Sequence, residues 1–352
     1  MWRRWCILKF ANRLLMRLLI IFLGLGVLAG CSMPTTPGPT PADYFVKQDS
    51  GVQTGNIKLV EITTPKGKFR VWTKRFGYNP RIKVLLLHGG PGGTHEFFES
   101  FENFLPQEGI EFIYYDQLES FYSDQPNDSS LWTPGHFVEE VEQVRQALGL
   151  NKDNFYLLGH SWGGILAMEY ALKYQDNLKG LIISNMMASM PEYEKYNGVL
   201  RSKMRKTLVD SLEAYEDKGQ FDDPVYETLM INEYYNQHLC RVVPWPDPVM
   251  RGFKHLSKGI YVSMQGPSEF KTGGRLIKWD RSKDLGQIKV PTLTIGGEHD
   301  TMDPKYMEWM SKQVQHGTYL YCPNGSHCDM WDDQEHYFPG LIKFLHDVDG
   351  NH

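Results

Sequence analysis

Phe155-Tyr-Leu-Leu-Gly-His-Ser-Trp-Gly-Gly164 is the stretch that decides the fold. Its first half is short and apolar, as in a buried strand, and residues 165–174 have the pattern of a helix. Gly159-x-Ser161-x-Gly163 lies between them, where the chain must turn sharply. Glycine suits the flanking positions because a side chain there would collide with the strand or the helix. The pattern predicts an accessible, reactive Ser161 hydroxyl. The alternative is a Gly-rich strand–helix junction without a catalytic role, which has a similar sequence.

Strand-like and helix-like segments alternate on both sides of this turn. The predicted strands cover residues 57–63, 69–75, 82–87, 112–115, 181–183, 291–295 and 318–321. The predicted helices cover residues 97–105 and 137–148. Apolar runs without alternation are typical of parallel strands that are buried on both faces. The sequence therefore predicts an α/β fold with a mostly parallel central sheet and helices on both faces.

The pattern changes between about residues 186 and 279. This region is charged, rich in Tyr and Met, and helical in period, with no apolar strand. We predict an α/β core formed by residues 46–185 and 286–352, interrupted by a helical cap at residues 186–285. Two consecutive, independent domains are the alternative. They are less favoured because the C-terminal strands need partners from the N-terminal half.

The first thirty residues have the features of an export signal. Five basic residues and no acidic ones precede or flank an uncharged apolar run at residues 18–30. That run is short for a membrane span but typical of a signal peptide. It ends in Leu28-Ala-Gly-Cys31, which resembles the lipobox of bacterial lipoproteins. We expect a signal peptide at residues 1–30, a lipidated Cys31 and a Pro/Thr-rich tether at residues 31–45; a plain signal peptide or a short anchor is the alternative.

These features predict a lipid-anchored protein of the bacterial cell envelope, on the outer membrane or the periplasmic face if the host has an outer membrane. Removing residues 1–30 changes the formal net charge from −5 to −10. A chain this acidic is not expected to bind nucleic acid. Three cysteines remain beyond Cys31, too few for a disulfide framework. Cys322 and Cys328 are close enough in sequence to pair in an exported protein, or to stay free and buried.

A serine hydroxyl attacks well only when a base removes its proton and a carboxylate supports the base. Asp300 ends Gly296-Gly-Glu-His-Asp300, directly after a predicted strand, and His327 lies in a loop after the last one. The order Ser, Asp, His is that of the α/β-hydrolase fold. We predict Ser161 as the nucleophile, Asp300 as the acid and His327 as the base. Asp303, His299 and His316 are weaker rivals because of their positions relative to the strand ends.

Acyl transfer also needs hydrogen-bond donors for the oxyanion of the intermediate. The backbone N–H of Trp162, the residue after the nucleophile, is one expected donor. The second is expected from His88-Gly-Gly-Pro-Gly-Gly93, which follows the strand at residues 82–87, and Gly90 is the candidate. A phosphate-binding loop is the alternative, but the Lys-Ser/Thr pair of that motif is missing.

Four motifs together resemble the proline iminopeptidase family of serine peptidases. They are His88-Gly-Gly-Pro-Gly-Gly93, Gly159-His-Ser-Trp-Gly-Gly164, Gly297-Glu-His-Asp300 and Gly325-Ser-His327. The resemblance extends from about residue 55 to the C-terminus and includes the cap. It implies an α/β-hydrolase fold and release of an N-terminal residue, often proline, from peptides or small amides. It also implies a Ser-His-Asp triad that uses no metal or cofactor.

Within the family, the sequence is most similar to the subgroup of the tricorn-interacting aminopeptidase. That resemblance rests on Asp116-Gln-Leu, Tyr122-Ser-Asp-Gln-Pro126 and the cap segment Gln265-Gly-Pro-Ser-Glu-Phe270. It implies that Glu269 binds the free amino group of the substrate, with Glu233 as the second choice. Many members have Asp-Gln-Arg-Gly where this chain has Asp116-Gln-Leu-Glu119, and the subgroup has a second glutamate where this chain has Thr301. Both departures favour a specificity broader than proline.

Other readings remain open at this point. A broad amino-acid amidase or a carboxylesterase would use the same fold and triad, since neither fixes the acyl group. A lipid-anchored binding module on an inactive hydrolase scaffold is the non-enzymatic alternative. Metal hydrolysis is disfavoured because His95-Glu-Phe-Phe-Glu99 has no second His at i+4. Hydrolases of this fold that use Asp as the nucleophile are excluded by Ser161.

Overall fold

A computed structural model describes residues 52–53 and 55–350, with side chains from residue 55 onward. The predicted signal peptide, the predicted lipidation site Cys31 and the predicted tether lie outside the described residues. Within the described part, none of the helices combines the length and the apolar character that a bilayer crossing requires.

A single twisted sheet forms the centre of the described chain. Its strands are β1 Val52–Gln53, β2 Ile57–Thr64, β3 Gly67–Phe76, β4 Lys83–Leu87, β5 Glu111–Asp116, β6 Phe155–His160, β7 Gly180–Ser184, β8 Thr292–Gly297 and β9 Gly317–Cys322. Their order across the sheet is β1-β2-β3-β5-β4-β6-β7-β8-β9. The first three neighbouring pairs are antiparallel, and every pair from β5 to β9 is parallel. The predicted mostly parallel sheet is confirmed.

Helices cover both faces of this sheet. The α-helices are α1 Pro134–Ala147, α2 Trp162–Tyr174, α3 Met190–Lys203, α4 Lys206–Glu216, α5 Pro224–Met230, α6 Asn236–His238, α7 Asp247–Lys254, α8 Lys258–Met264, α9 Pro304–Gln313, α10 Asp329–Asp332 and α11 Gln334–Gly350. The 3₁₀ helices are His95–Asn103, Pro106–Glu108, Ser129–Leu131, Gln175–Asn177 and Leu285–Gln287, and a π-helical turn covers Ile231–Tyr235. Residues 97–105, predicted as a helix, lie mostly in the first of these 3₁₀ helices.

The pleat of the strands divides the apolar side chains between two cores. Leu157 and Leu158, adjacent in β6, belong to different buried clusters because successive side chains point to opposite faces. One cluster includes residues of α1, α2 and α9, and the other includes residues of the 3₁₀ helix His95–Asn103 and of α11. β4, β6, β7 and β8 are buried almost throughout, which explains their unbroken apolar runs.

The chain between β7 and β8 is helical and packs partly around a small core of its own. α3 to α8 lie in this segment. Leu200, Leu212, Tyr226, Met230 and Phe270 are members of its buried cluster. The segment thus leaves the sheet at the carboxyl end of β7, the edge that carries the candidate site, and the chain re-enters the sheet at the amino end of β8.

Candidate active site

Ser161 lies at the sharp turn between β6 and α2. Its backbone has φ 55° and ψ −125°, a left-handed conformation that a non-glycine residue adopts only under strain. A Cβ on Gly159 would lie 1.9 Å from the Gly163 carbonyl oxygen. A Cβ on Gly163 would lie 2.0 Å from the Leu87 carbonyl oxygen in β4. Both glycines are therefore required by backbone contacts, the reason proposed from the sequence.

Asp300 and His327 come together from two strand ends. Asp300 follows β8, and His327 lies in the loop between β9 and α10. The His327 Nδ1 atom is 2.8 Å from Asp300 Oδ1, and both side chains are buried. Ser161 and His327 line the same cavity, which has a volume of about 50 Å³. The structure therefore brings the three predicted residues to one place, with the Nδ1 side of the imidazole held by the carboxylate.

Several charges determine the pKa of His327. Burial by itself lowers this pKa, but the Asp300 charge and hydrogen bond raise it, and Glu269 and Asp332 raise it further. The net result is a His327 pKa above its ordinary value. A basic imidazole beside a nucleophilic serine is the arrangement that general-base catalysis requires.

Asn185 links the candidate acid to a second buried carboxyl group. Its amide nitrogen donates to Asp300 Oδ2 and to Asp329 Oδ2, each at 2.9 Å. Burial and the neighbouring Asp300 charge raise the pKa of Asp329 well above its ordinary value. The two carboxyl groups thus share one donor. A protonated Asp329 leaves the negative charge on Asp300, where it faces His327.

The loop after β4 forms one wall of the cavity. Gly90 has φ 109°, and a Cβ there would lie 2.5 Å from the Gly93 nitrogen, so only glycine fits. Gly89, Gly90 and Gly93 all line the cavity. Trp162 is the first residue of α2, where a backbone N–H has no acceptor within the helix.

Gln117 connects this loop to the turn that carries Ser161. Its backbone N–H donates to His88 Nε2 at 3.1 Å, and its side-chain oxygen accepts from the Trp162 indole at 2.9 Å. Burial lowers the pKa of His88, so the ring is neutral. Since Nε2 accepts, Nδ1 carries the proton and donates to the Gly89 carbonyl at 2.8 Å. The glycine loop and the start of α2 are therefore held in one hydrogen-bonded frame.

Glu269 contributes a buried carboxylate to the same cavity. The Tyr261 hydroxyl donates to Oε1 at 2.6 Å, and the Tyr193 hydroxyl lies 3.1 Å from Oε2. Burial and the Glu269 charge raise the pKa values of both tyrosines, so the hydroxyls stay protonated. No Lys, Arg or His side chain between residues 55 and 350 forms an ion pair with Glu269. A buried carboxylate without a cation favours a ligand that supplies one.

The weaker candidates lie elsewhere. Glu233 does not line the cavity; its side chain is partly exposed and pairs with Arg205 at 3.0 Å. Asp303 caps α9 by accepting from the Lys305 N–H. His299 and His316 do not line the cavity either. The structure therefore joins Glu269, and not Glu233, to the predicted catalytic residues.

Thr301 occupies the position at which the resembling subgroup has a second glutamate. Its side chain is buried, and its hydroxyl donates to Asp300 Oδ1 at 3.3 Å. Thr301 thus supports the candidate acid and adds no negative charge to the cavity. A single carboxylate, Glu269, faces the substrate space among the residues that line it.

Sequence reasoning missed the residues that support the site. Tyr193 and Tyr261 lie in helices α3 and α8, where an apolar helical stripe is normally interpreted as core. Asn185 directly follows β7. Its position as a polar residue at a strand end is the one feature of the sequence that could have indicated its role. Gln117 was noted only as part of a family motif, without a role.

The incomplete metal motif and the buried cysteines are not members of the predicted triad. The His95 ring, part of the incomplete metal motif, pairs with Asp116 at 2.9 Å. Among residues 55–350, one group of three side chains could hold a metal ion, at Asp333, Glu335 and His336, and it does not line the cavity. Cys322 and Cys328, for which a bridge was one alternative, are free and buried.

Comparison with known proteins agrees with this architecture. The α/β hydrolase fold family matches residues 83–334. The chain is 58% identical over 291 residues to the proline iminopeptidase of Flavobacterium johnsoniae, covering 82% of this chain and 98% of the relative. It is also 58% identical over 293 residues to the proline iminopeptidase of Elizabethkingia meningoseptica, covering 83% and 98%.

A solved structure of a relative supports the same fold and family. The crystal structure of the proline iminopeptidase from Mycobacterium smegmatis has a TM-score of 0.73 and 30% sequence identity, covering 82% of this chain and 98% of that one. The predicted α/β-hydrolase fold is therefore confirmed, as is the family resemblance inferred from the four motifs. The chain belongs to the proline iminopeptidase family of α/β-hydrolases.

Proposed function

We propose that this protein is a serine aminopeptidase that releases an N-terminal proline, or another small apolar residue, from peptides and amino-acid amides. The observation that carries the proposal is the buried Glu269 carboxylate, which shares a cavity with Ser161 and His327 and has no cation of its own. The relatives at 58% identity are named proline iminopeptidases, which supports proline as the preferred residue.

In the proposed reaction, His327 removes the Ser161 proton as the hydroxyl oxygen attacks the carbonyl carbon of the first residue. Asp300 keeps the imidazole oriented and stabilises its positive charge. The backbone N–H groups of Trp162 and Gly90 receive the oxyanion. The protonated His327 then donates its proton to the leaving amine, and an acyl-enzyme remains. Water, deprotonated by His327, attacks that ester and releases the amino acid.

Recognition of the substrate depends on its free amino group. An ammonium or pyrrolidinium ion near Glu269 forms a charge-assisted hydrogen bond, stronger than a neutral one. The Tyr261 and Tyr193 hydroxyls keep the carboxylate in place. Because Thr301 brings no second carboxylate, the site holds the amine by one anion. This leaves room for residues other than proline and keeps a broad amino-acid amidase as the second candidate function.

The direct test is a panel of aminoacyl aryl amides and short-chain esters, compared by kcat/KM. We expect the prolyl and alanyl amides to be hydrolysed and Ser161→Ala to lose at least about 10⁴-fold in kcat while remaining folded. Asp300→Asn is expected to lose activity strongly, whereas Asp303→Asn, its matched control, retains it. Turnover that survives Ser161→Ala contradicts the mechanism, and esters as the only substrates favour a carboxylesterase.

We also propose that Cys31 carries a lipid anchor that places the enzyme in the bacterial cell envelope. The support is the basic segment, the apolar run and Leu28-Ala-Gly-Cys31 in the sequence. The test is fractionation of bacteria that express the full chain. The wild type and Cys6→Ser, the control, are expected in the membrane fraction, and Cys31→Ser in the soluble or unprocessed pool. A wild-type protein that is not acylated contradicts this part of the proposal.

A further inference from the structure

The catalytic cavity has room for little more than the first residue of a peptide. Its volume of about 50 Å³ lies well below the roughly 300–1,000 Å³ found for small-molecule sites. Ser161, His327 and Glu269 are all buried around it. When Glu269 holds the amino group and Ser161 attacks the carbonyl of the same residue, the rest of a peptide must lie outside this cavity.

A larger groove in the helical segment between β7 and β8 adjoins the catalytic cavity. This cap groove has a volume of about 410 Å³. It is formed by the loop after α4 together with α5, α7 and α8. Phe253, Leu256 and Tyr261 line both spaces. Tyr261 is also the residue whose hydroxyl donates to Glu269. The groove therefore begins at the wall of the catalytic cavity.

The walls of the cap groove are largely apolar. Phe221, Tyr226, Tyr235 and Trp245 are among the side chains that line it. Ile231 and Val262 also line it, and these side chains are 41% and 49% exposed. Large apolar side chains left open to solvent beside a site are typical of a surface that binds an apolar partner.

Three charged residues line the groove, and two of them pair with each other. Lys258 and Asp222 pair at 3.2 Å, and both side chains are strongly exposed. Glu227 is the remaining charged residue that lines the groove. These groups compensate one another in part, so apolar contact, more than charge, is the dominant interaction that the groove offers.

We propose that the cap groove binds the residues that follow the scissile bond and prefers apolar side chains in them. The proposal rests on the proposed aminopeptidase function and adds its substrate class: short peptides with a free N-terminus and apolar second and third residues. The observation behind it is that the groove and the catalytic cavity share Phe253, Leu256 and Tyr261 as lining residues and so lie side by side. One or two apolar side chains in such a pocket raise kcat/KM by about 10- to 200-fold.

The test compares Pro-Phe-Leu amide with Pro-Gly-Gly amide, and uses prolinamide as a substrate that has no residue beyond the scissile bond. We expect the wild type to prefer the Phe-Leu peptide by at least about tenfold in kcat/KM. Ile231→Glu and Val262→Glu are expected to lower this preference about tenfold and to leave the kcat/KM for prolinamide within about twofold. The matched control is Val225→Glu, which changes a residue of α5 that is 54% exposed and does not line the groove.

The possible outcomes separate this inference from the proposed function. Equal rates for the two peptides in the wild type, or an unchanged preference in both groove variants, overturn the role of the groove while aminopeptidase activity stands. Failure of the wild type to cleave prolinamide and both peptides overturns the proposed function and the groove with it. Loss of preference in Val225→Glu equal to that in the groove variants also contradicts the proposal.

Discussion

His327 acts as a base only while its imidazole is neutral, and its neighbours set the pH at which it becomes so. Burial lowers its pKa, but Asp300, Glu269 and Asp332 together raise it above the ordinary value of 6.5. A raised pKa in the folded enzyme means that the base is protonated, and inactive, up to a higher pH. The charges that orient the imidazole thus also restrict the active pH range.

The pH profile of kcat/KM tests this balance. We expect the activity to fall as the pH is lowered through a midpoint above 6.5, because protonated His327 cannot accept the Ser161 proton. Asp332→Asn removes one of the carboxylates that raise this pKa, so its midpoint is expected at a lower pH. Asp347→Asn, an exposed change on α11, is the control. A wild-type midpoint below 6.5, or no shift in Asp332→Asn, contradicts this electrostatic explanation.

Asp329 gives a pH dependence of stability with a defined sign. Its pKa is raised in the folded state, so the native protein binds this proton more tightly than the unfolded chain, whose Asp has a pKa of about 3.9. The stability associated with Asp329 is therefore present below that value and is lost as the pH rises towards the folded pKa. Asp329→Asn cannot ionise. Its free energy of unfolding relative to the wild type is expected to increase between pH 4 and pH 8, measured by urea denaturation; a constant or decreasing difference contradicts a raised pKa.

The sequence could predict Ser161, Asp300 and His327 because each follows a strand within a short motif. It could not predict Tyr193 and Tyr261, since tyrosines on amphipathic helices are usually part of a core. Their role depends on the position of the Glu269 side chain between α3 and α8, two helices that are distant in sequence. Such contacts depend on tertiary packing and not on local pattern.

At the scale of elements, the turn from β6 into α2 tolerates no side chain at Gly159 or Gly163, two residues to either side of Ser161. Its two glycines are surrounded by backbone atoms, which cannot move aside as a flexible side chain would. The positive φ of Ser161 adds strain of about 1–3 kcal/mol, which the surrounding sheet and helix must offset. The catalytic hydroxyl is therefore presented by the two elements together.

Gly159→Ala tests this packing. The new methyl group would lie 1.9 Å from the Gly163 carbonyl oxygen, so we expect a loss of about 3 kcal/mol or more in the free energy of unfolding. Gly198→Ala, in helix α3, meets no atom within 4 Å and is the control, with an expected gain of roughly 0.5–1 kcal/mol. Thermal denaturation of both variants gives the comparison. Equal stability of Gly159→Ala and the wild type contradicts the assigned geometry.

Most helices and strands could be predicted from the sequence, because buried parallel strands and amphipathic helices have distinct patterns of apolar residues. Residues 97–105 were predicted as a helix without a type, since apolar spacing does not distinguish a 3₁₀ helix such as His95–Asn103 from an α-helix over nine residues. The π-helical turn Ile231–Tyr235 had no signal in the sequence. Glu233, in this turn, pairs with Arg205 at 3.0 Å and does not line the catalytic cavity.

At the scale of the whole molecule, an ion-pair cluster joins the helical segment between β7 and β8 to the 3₁₀ helix His95–Asn103. Arg251 of α7 pairs with Glu96 and with Glu99, the latter at 2.7 Å, both in the 3₁₀ helix that follows the glycine loop. His255 Nδ1 lies 2.7 Å from Glu96, which is almost fully buried. The cluster fixes α7, a wall of both the catalytic cavity and the cap groove, against the loop that carries Gly90.

Arg251→Ala is expected to lower the free energy of unfolding by about 3 kcal/mol, because it leaves the buried Glu96 without its guanidinium partner. Lys206→Ala, which removes an exposed pair with Asp210 on α4, is the control and is expected to change it by less than about 0.5 kcal/mol. Chemical denaturation measures both. Similar small effects in the two variants would show that the cluster does not stabilise the contact.

The sequence indicated an inserted helical segment from the change of pattern, but not which of its carboxylates meets the substrate. Glu233 and Glu269 both lie in polar stretches of the sequence. Only the packing of α3 and α8 around Glu269 distinguishes it as the carboxylate that lines the cavity. The proposed function therefore depends on both parts of the molecule. In this proposal the inserted segment contributes the Glu269 carboxylate that binds the free amino group, and the sheet positions the Ser161 nucleophile.

The most direct test compares proline 4-nitroanilide with its N-acetylated form as substrates for the wild type, Glu269→Gln and Glu233→Gln. A charge-assisted hydrogen bond contributes about 1.5–3 kcal/mol, so we expect the wild type to prefer the free amine by about 10- to 150-fold in kcat/KM. Glu269→Gln is expected to lose most of that preference and Glu233→Gln to keep it. A wild type that cleaves both substrates equally well would contradict the account.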